Sequence, residues 1–142
     1  MIIIDYFGFS GSGKSFSAKE ISTKLKLDMD FEFLKINKYH VFKRVLFKIY
    51  FISFIKISDL KKVNDIQKCF IFEKKITRLK NLFSFLYLIG FIKYKSKFSK
   101  IIILDHGLIQ CLLSCILFSK NKHYNYDIIL KKLNMIFISL NK

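Results

Sequence analysis

The sequence predicts an α/β protein of three layers, with a parallel sheet between helices and a helical insertion. Three observations predict it. Apolar, β-branched runs at residues 2–7 and 100–105 stop abruptly, one at Gly8 and the other at Asp105. Each run is followed by a stretch that suits a helix. No Gly/Ser-rich linker and no internal repeat divides the 142 residues, so a single domain with a real core is expected.

Residues 2–7 are the first strand, short and ended by glycine. A helix is expected over 14–25, with Ala18, Ile21 and Leu25 on one face. Phe31 to Ile36 alternates as a second strand. Residues 41–57 read as a mostly buried helix, because Lys43, Arg44, Lys48 and Lys56 point several ways around the helical wheel. A membrane-surface helix would gather them on one face; here their stems are expected to carry the charges outward. Residues 59–75 are expected to be helical. Ile76, Leu79, Phe83, Leu86 and Gly90 then form an i, i+3, i+4 stripe that should face the core. These segments make up the helical insertion, about 41–95. Lys93 to Lys100 reads as a solvated basic loop.

Ile101-Ile102-Ile103-Leu104-Asp105 has the pattern of a buried parallel strand that delivers a carboxylate to its C-terminal edge. Helices at 108–119 and about 127–133 follow, and Met135 to Leu140 reads as a last strand. The expected sheet has central strands 2–7 and 100–105, flanked near 31–36 and 135–140. A ligand would lie beyond the carboxyl ends of those strands.

Apolar residues at 52% and aromatics at 17% exclude intrinsic disorder in spite of a net charge of +16. That charge is not read as a nucleic-acid partner. Pro and Trp are absent, Ala18 is the only alanine, and Arg44 and Arg78 are the only arginines, while Lys, Ile, Phe and Asn abound. An AT-rich genome drifts this way without selection for a polyanion, and a nucleic-acid face would carry arginine. Met1 to Asp5 lacks the basic start of a signal peptide. Uncharged stretches such as Asn81 to Ile92 fall short of the roughly 20 residues of a membrane-crossing helix. Cys69, Cys111 and Cys115 are too few and too irregular for a disulfide framework. A cytoplasmic protein with reduced thiols and no transmembrane segment is expected.

Gly8-Phe9-Ser10-Gly11-Ser12-Gly13-Lys14-Ser15 matches G-x-x-x-x-G-K-[ST] in full. Glycines let the backbone curl so that successive N–H groups face inward, and the following helix adds the positive end of its dipole. The result is an anion cradle, a P-loop. Three of the five glycines in the chain fall within these eight residues, so a merely flexible turn is the weaker account. Lys14 would reach the β- and γ-phosphates of a nucleoside triphosphate, and Ser15 would ligate Mg²⁺. The candidate nucleotide-binding residues are Gly8, Ser10, Gly11, Ser12, Gly13, Lys14, Ser15 and Phe16. Asp105, at the end of its strand, is the candidate second magnesium ligand; its alternative is a helix N-cap.

With these motifs, residues 1–15 and 101–110 resemble the small-molecule kinase branch of the P-loop NTPases, the group that includes thymidylate kinase-like enzymes. The resemblance covers about a fifth of the chain and implies a three-layer fold, ATP as the nucleotide, and phosphoryl transfer to a small-molecule acceptor. Lys14 and Asp105 would be its catalytic residues, with charge neutralised by Lys14 and Mg²⁺. Asn37-Lys38-Tyr39-His40 and Asn121-Lys122-His123-Tyr124 lack the base-reading aspartate, and Asp105-His106-Gly107 is not D-x-x-G, which argues against a GTPase. The absence of an LSGGQ-like signature argues against a transporter-type ATPase. Similar kinases face the acceptor with the residues just after the strand-end acid, which puts His106 and Gln110 forward as acceptor contacts; a plain loop histidine is the alternative for His106.

The departure lies further on. Similar kinases carry a lid with arginines after a fourth strand, whereas no arginine follows Arg78 and the chain stops soon after the expected strand 135–140. The lid and last strand are therefore expected to be absent, leaving a non-catalytic or truncated ATP-binding module as the second reading. A nucleic-acid-associated ATPase is the third. Cys111 and Cys115, with His123, lack the ligands a zinc site needs and are read as core cysteines. Asp28, Asp30 and Glu32 are read as a solvated acidic turn.

Overall fold

Two isoleucine triplets build the sheet, since β-branched side chains favour the extended backbone. β1 (Ile2–Asp5) and β2 (Ile101–Leu104) run parallel, with Ile2 level with Ile101 and Asp5 level with Leu104. The Tyr6 N–H donates to the Leu104 carbonyl (2.8 Å), carrying the ladder one residue beyond β1. Parallel strands need a crossover, and this one holds α1 (Lys14–Leu25), α2 (Val41–Ile52), α3 (Ile57–Gln67) and α4 (Lys75–Lys95). After β2 come α5 (Leu108–Leu117) and α6 (Tyr126–Leu140). The structure, a computed structural model, describes residues 2–6, 13–25, 41–99, 101–104, 107–121 and 124–140, and only the backbone of residues 14, 15, 18, 19, 22, 25 and 41–44. Within them the fold is mixed α/β, a small parallel two-stranded sheet flanked by helices.

The core is centred on the second half of α4, which is buried on every side from Phe85 to Ile92. Val63 and Ile66 of α3, Leu108, Leu112 and Cys115 of α5, Ile129, Leu133 and Ile136 of α6, and Ile102 and Leu104 of β2 close around it. Each fully buried aliphatic or aromatic side chain contributes about 1.5–3 kcal/mol relative to an exposed one. α2 reaches this core through Phe51, whose ring lies 5.2–5.8 Å from those of Phe91, Tyr94 and Tyr87. That approach needs Gly90: a Cβ there would stand 1.9 Å from the Phe51 carbonyl oxygen.

Polar side chains fix the connections. Asn125 starts α6 as its N-cap, its Oδ1 accepting from the Ile128 N–H (3.1 Å). Asn121 ties the segment after α3 to the one after α5, accepting from the Ile71 N–H (2.9 Å) and donating to the Cys69 carbonyl (3.1 Å). Asp59, buried in the first turn of α3, accepts from the Lys56 N–H (2.8 Å) and from Lys93 Nζ (2.5 Å).

Several expectations need correction. Met135 to Leu140 is not a strand but the end of α6, so the element on which the expected loss of a lid was counted is a helix. Ile129, Leu133, Ile136 and Leu140 are its buried residues, a helical spacing that a short apolar window read alone does not reveal. α2 is not mostly buried: Val45, Leu46, Ile49 and Tyr50 are exposed, because the helix packs on α4 along one side only. The expected stripe on α4 is buried at Leu86 and Gly90, whereas Ile76, Leu79 and Phe83 in its first half are exposed. Ile21 of α1 is exposed as well. Lys93 is no solvated loop residue, since α4 extends to Lys95 and its ammonium is paired with Asp59. The strand expected near 31–36 and the acidic turn at Asp28, Asp30 and Glu32 lie outside the described residues. Among the described residues no helix is long and apolar enough to cross a membrane.

Candidate functional site

The site is built where both strands end. Because Asp5 is level with Leu104 in a parallel ladder, the chain leaves β1 and β2 at the same edge of the sheet. In chain order α1 is the first helix after β1, and α5 begins four residues after β2.

α1 starts at Gly13, whose carbonyl accepts the first helical bond, from the Ser17 N–H (3.0 Å). Gly13 has φ +76°, the left-handed region that costs other residues about 1–2 kcal/mol. A Cβ at Gly13 would meet nothing within 4 Å, so the backbone conformation rather than space calls for glycine. The N–H groups of Lys14, Ser15 and Phe16 are those an α-helix leaves without a partner of its own. No acidic residue stands in the first turn of α1, nor anywhere between Tyr6 and Lys19. The Phe16 side chain is exposed.

α5 starts differently. Gly107 is its N-cap, and the Asp5 carboxylate on β1 accepts from the Ile109 N–H (3.0 Å). Gly107 is buried against that carboxylate, and a Cβ there would fall 2.3 Å from its carbon and both its oxygens. Asp5 thus ties the end of β1 to the positive end of the α5 dipole. Gln110 is the third residue of α5, half-buried, and its carbonyl accepts from Ser114 Oγ (3.0 Å).

Cys111 and Cys115 follow on α5. Burial first, then the neighbouring Cys115 and the Asp5 carboxylate, push the Cys111 thiol from 9.0 up to about 12, against the pull of Lys48. Burial pushes Cys115 up to about 12 as well. Both are protonated thiols at neutral pH, which suits neither a nucleophile nor a metal ligand. Among the described residues no three His, Cys, Asp or Glu side chains gather into a metal-binding cluster.

Gly13, the backbone of Lys14 and Ser15, and Phe16 thus stand at the start of α1, and Gln110 stands in the first turn of α5. Gly8, Ser10, Gly11, Ser12, Asp105 and His106 lie outside the described residues. Asp5 is the residue of this region that the sequence analysis does not put forward. Its signal was the parallel with Asp105: both acids close an isoleucine run. Comparison of the chain with protein-family models, curated proteins and solved structures finds no match.

Proposed function

We propose that this chain binds a nucleoside triphosphate, ATP, together with Mg²⁺ through Gly8 to Phe16, on a sheet that is the centre of a three-layer P-loop NTPase fold. The reading rests on one observation above all. The segment G-x-x-x-x-G-K-S stands between β1 and α1, and its last glycine adopts a left-handed conformation immediately before α1. The acid-free stretch from Tyr6 to Lys19 supports it too, since a neighbouring carboxylate would compete with phosphate for the helix start.

In this reading Lys14 pairs with the β- and γ-phosphates as a point charge. Ser15 and Asp105 would hold magnesium, a hydroxyl and a carboxylate being the oxygen donors that this hard cation takes. When bound, the metal supplies charge neutralisation on the phosphate oxygens. The register supports Asp105 as partner, since β2 ends level with Asp5. The first turn of α5, with Gln110, and His106 ahead of it are the candidate contacts for a small-molecule acceptor.

Equilibrium binding of a fluorescent ATP analogue with Mg²⁺ tests the assignment. Lys14→Ala should weaken it by about a hundredfold or more, as the loss of a charge-assisted contact to the phosphates implies. Binding unchanged by that substitution would sink the reading.

Phosphoryl transfer to a small molecule is the reaction proposed. A non-catalytic ATP-binding module is the second reading, favoured by the arginines: Arg78 donates from its guanidinium to Asn64 Oδ1 on α3 (3.3 Å), and Arg44 is the only other one. Lack of an arginine on the transferred group lowers turnover by about 10³–10⁵-fold. ATP turnover measured with a panel of hydroxyl- and phosphate-bearing acceptors decides between them.

A further inference from the structure

A second basic site lies outside the P-loop and the helix starts beside it. Among the described residues, a cavity of about 250 Å³ opens between α3, α4 and α6, lined by Lys56, Ser58, Asp59, Lys62, Lys93 and Ser139, with Met135 and Ile138 as its apolar wall. The four charges are unevenly matched. Asp59 and Lys93 are both largely buried and hold one another at 2.5 Å, a neutral pair in the cavity wall. Lys56 and Lys62 have no carboxylate within 4.0 Å among the described residues, and Lys62 Nζ reaches only the Met135 carbonyl, at 3.5 Å. The cavity is thus left with two ammonium charges. α3 also begins here, adding the positive end of its dipole, while Asp59 takes up only the Lys56 N–H.

We propose that this cavity binds a phosphate monoester or inorganic phosphate as the dianion. Two unmatched charges suit a phosphate monoester, whose second pKa of about 6 leaves it nearly two negative charges at neutral pH, and the dianionic form of inorganic phosphate. The donors are ammonium groups and the Ser58 hydroxyl, without an arginine fork. Point-charge donors satisfy a tetrahedral oxyanion in many orientations, whereas a planar carboxylate is better gripped by a bidentate guanidinium. Met135 and Ile138 would receive the carbon end of a monoester.

The test uses the whole chain carrying Lys14→Ala, so that phosphate binding at the P-loop is weakened, and reads each site by its own amides. Inorganic phosphate, methyl phosphate and acetate are titrated at constant ionic strength while backbone amide shifts are followed by NMR. Saturable shifts at Ser58, Asp59 and Ser139 with both phosphates are expected. Removing the two charges by Lys56→Gln with Lys62→Gln should raise the half-saturating concentration about tenfold or more. Tighter binding of methyl phosphate identifies a monoester as the ligand; equal binding identifies free phosphate. Shifts that do not saturate, that acetate reproduces, or that survive the double substitution overturn the proposal. Should the double variant lose its fold, Ser58→Asp replaces it, placing a carboxylate in the cavity with all three lysines intact. Phosphate binding unchanged by Ser58→Asp overturns the proposal as well.

Discussion

The helices that follow the two strands differ in the acids found at their starts. At α5 the chain supplies its own anion: the Asp5 carboxylate bonds the Ile109 N–H and rests on Gly107. At α1 the first turn and the residues before it hold no acid, and a left-handed glycine precedes the first helical residue. A helix start attracts negative charge in either case. The α5 start is met from within, and at the α1 start an anion from outside is what we propose. That lack of an acid adds to the G-x-x-x-x-G-K-S segment and the left-handed Gly13, on which the proposal of phosphate binding rests.

The comparison is broken most severely at Gly107. Gly107→Val forces a Cβ into the Asp5 carboxylate, so the acid must leave the helix start. A loss of about 3 kcal/mol is expected in denaturant unfolding, from overpacking and a broken buried contact together. Adding Asp5→Ala should recover part of it, because the clash is with that side chain; a double-mutant cycle measures the coupling.

Asp5→Asn is milder. It keeps the shape and removes the charge, and about 1–2 kcal/mol of stability should go with it. Because the Asp5 charge helps hold the Cys111 thiol up, the same variant should make Cys111 react faster with iodoacetamide at alkaline pH. In the unsubstituted chain the folded state keeps Cys111 and Cys115 protonated up to about pH 12, whereas the unfolded thiols ionise from about pH 9. The thiol contribution to stability is therefore whole below pH 9 and lost as pH rises toward 12. Unfolding midpoints across that window should fall, and fall less in a Cys111→Ser, Cys115→Ser double variant.

The smallest effect on stability sharpens the contrast by giving α1 what α5 already has. Phe16→Asp places a carboxylate in the first turn at an exposed position. It should stabilise the folded chain by about 0.5 kcal/mol, the scale of a charge–dipole interaction at a surface helix end. It should also weaken ATP binding by about tenfold through competition for the same amides. Stability measured by urea unfolding and affinity by calorimetry would then move in opposite directions.

What the sequence made legible follows from how local each signal is. The isoleucine runs, the helices at 14–25 and from 108, and the helical character of much of 41–95 rest on composition and spacing within one window, and the structure has them. α6 was cut short because Met135 to Leu140 suits a strand on its own; its helical stripe emerges only together with Ile129 and Leu133. The exposed sides of α2 and of the first half of α4 could not be foreseen, since apolar residues surround both helices and only the neighbours decide which side is covered. Asp5 on Ile109, Lys93 on Asp59 and Asn121 between Cys69 and Ile71 are contacts across long stretches of chain, invisible to any window. At the candidate site, Gly13 was legible because a left-handed residue leaves glycine in the sequence. The acid that closes the other helix start was not.

The difference between the two helix starts is tested most directly by titrating Mg·ATP into isotopically labelled protein and following backbone amides. The account predicts that Gly13 to Phe16 show the largest saturable shifts, while the Ile109 amide, held by Asp5, stays in place. Shifts centred on Ile109, or none at Gly13 to Phe16, would contradict it.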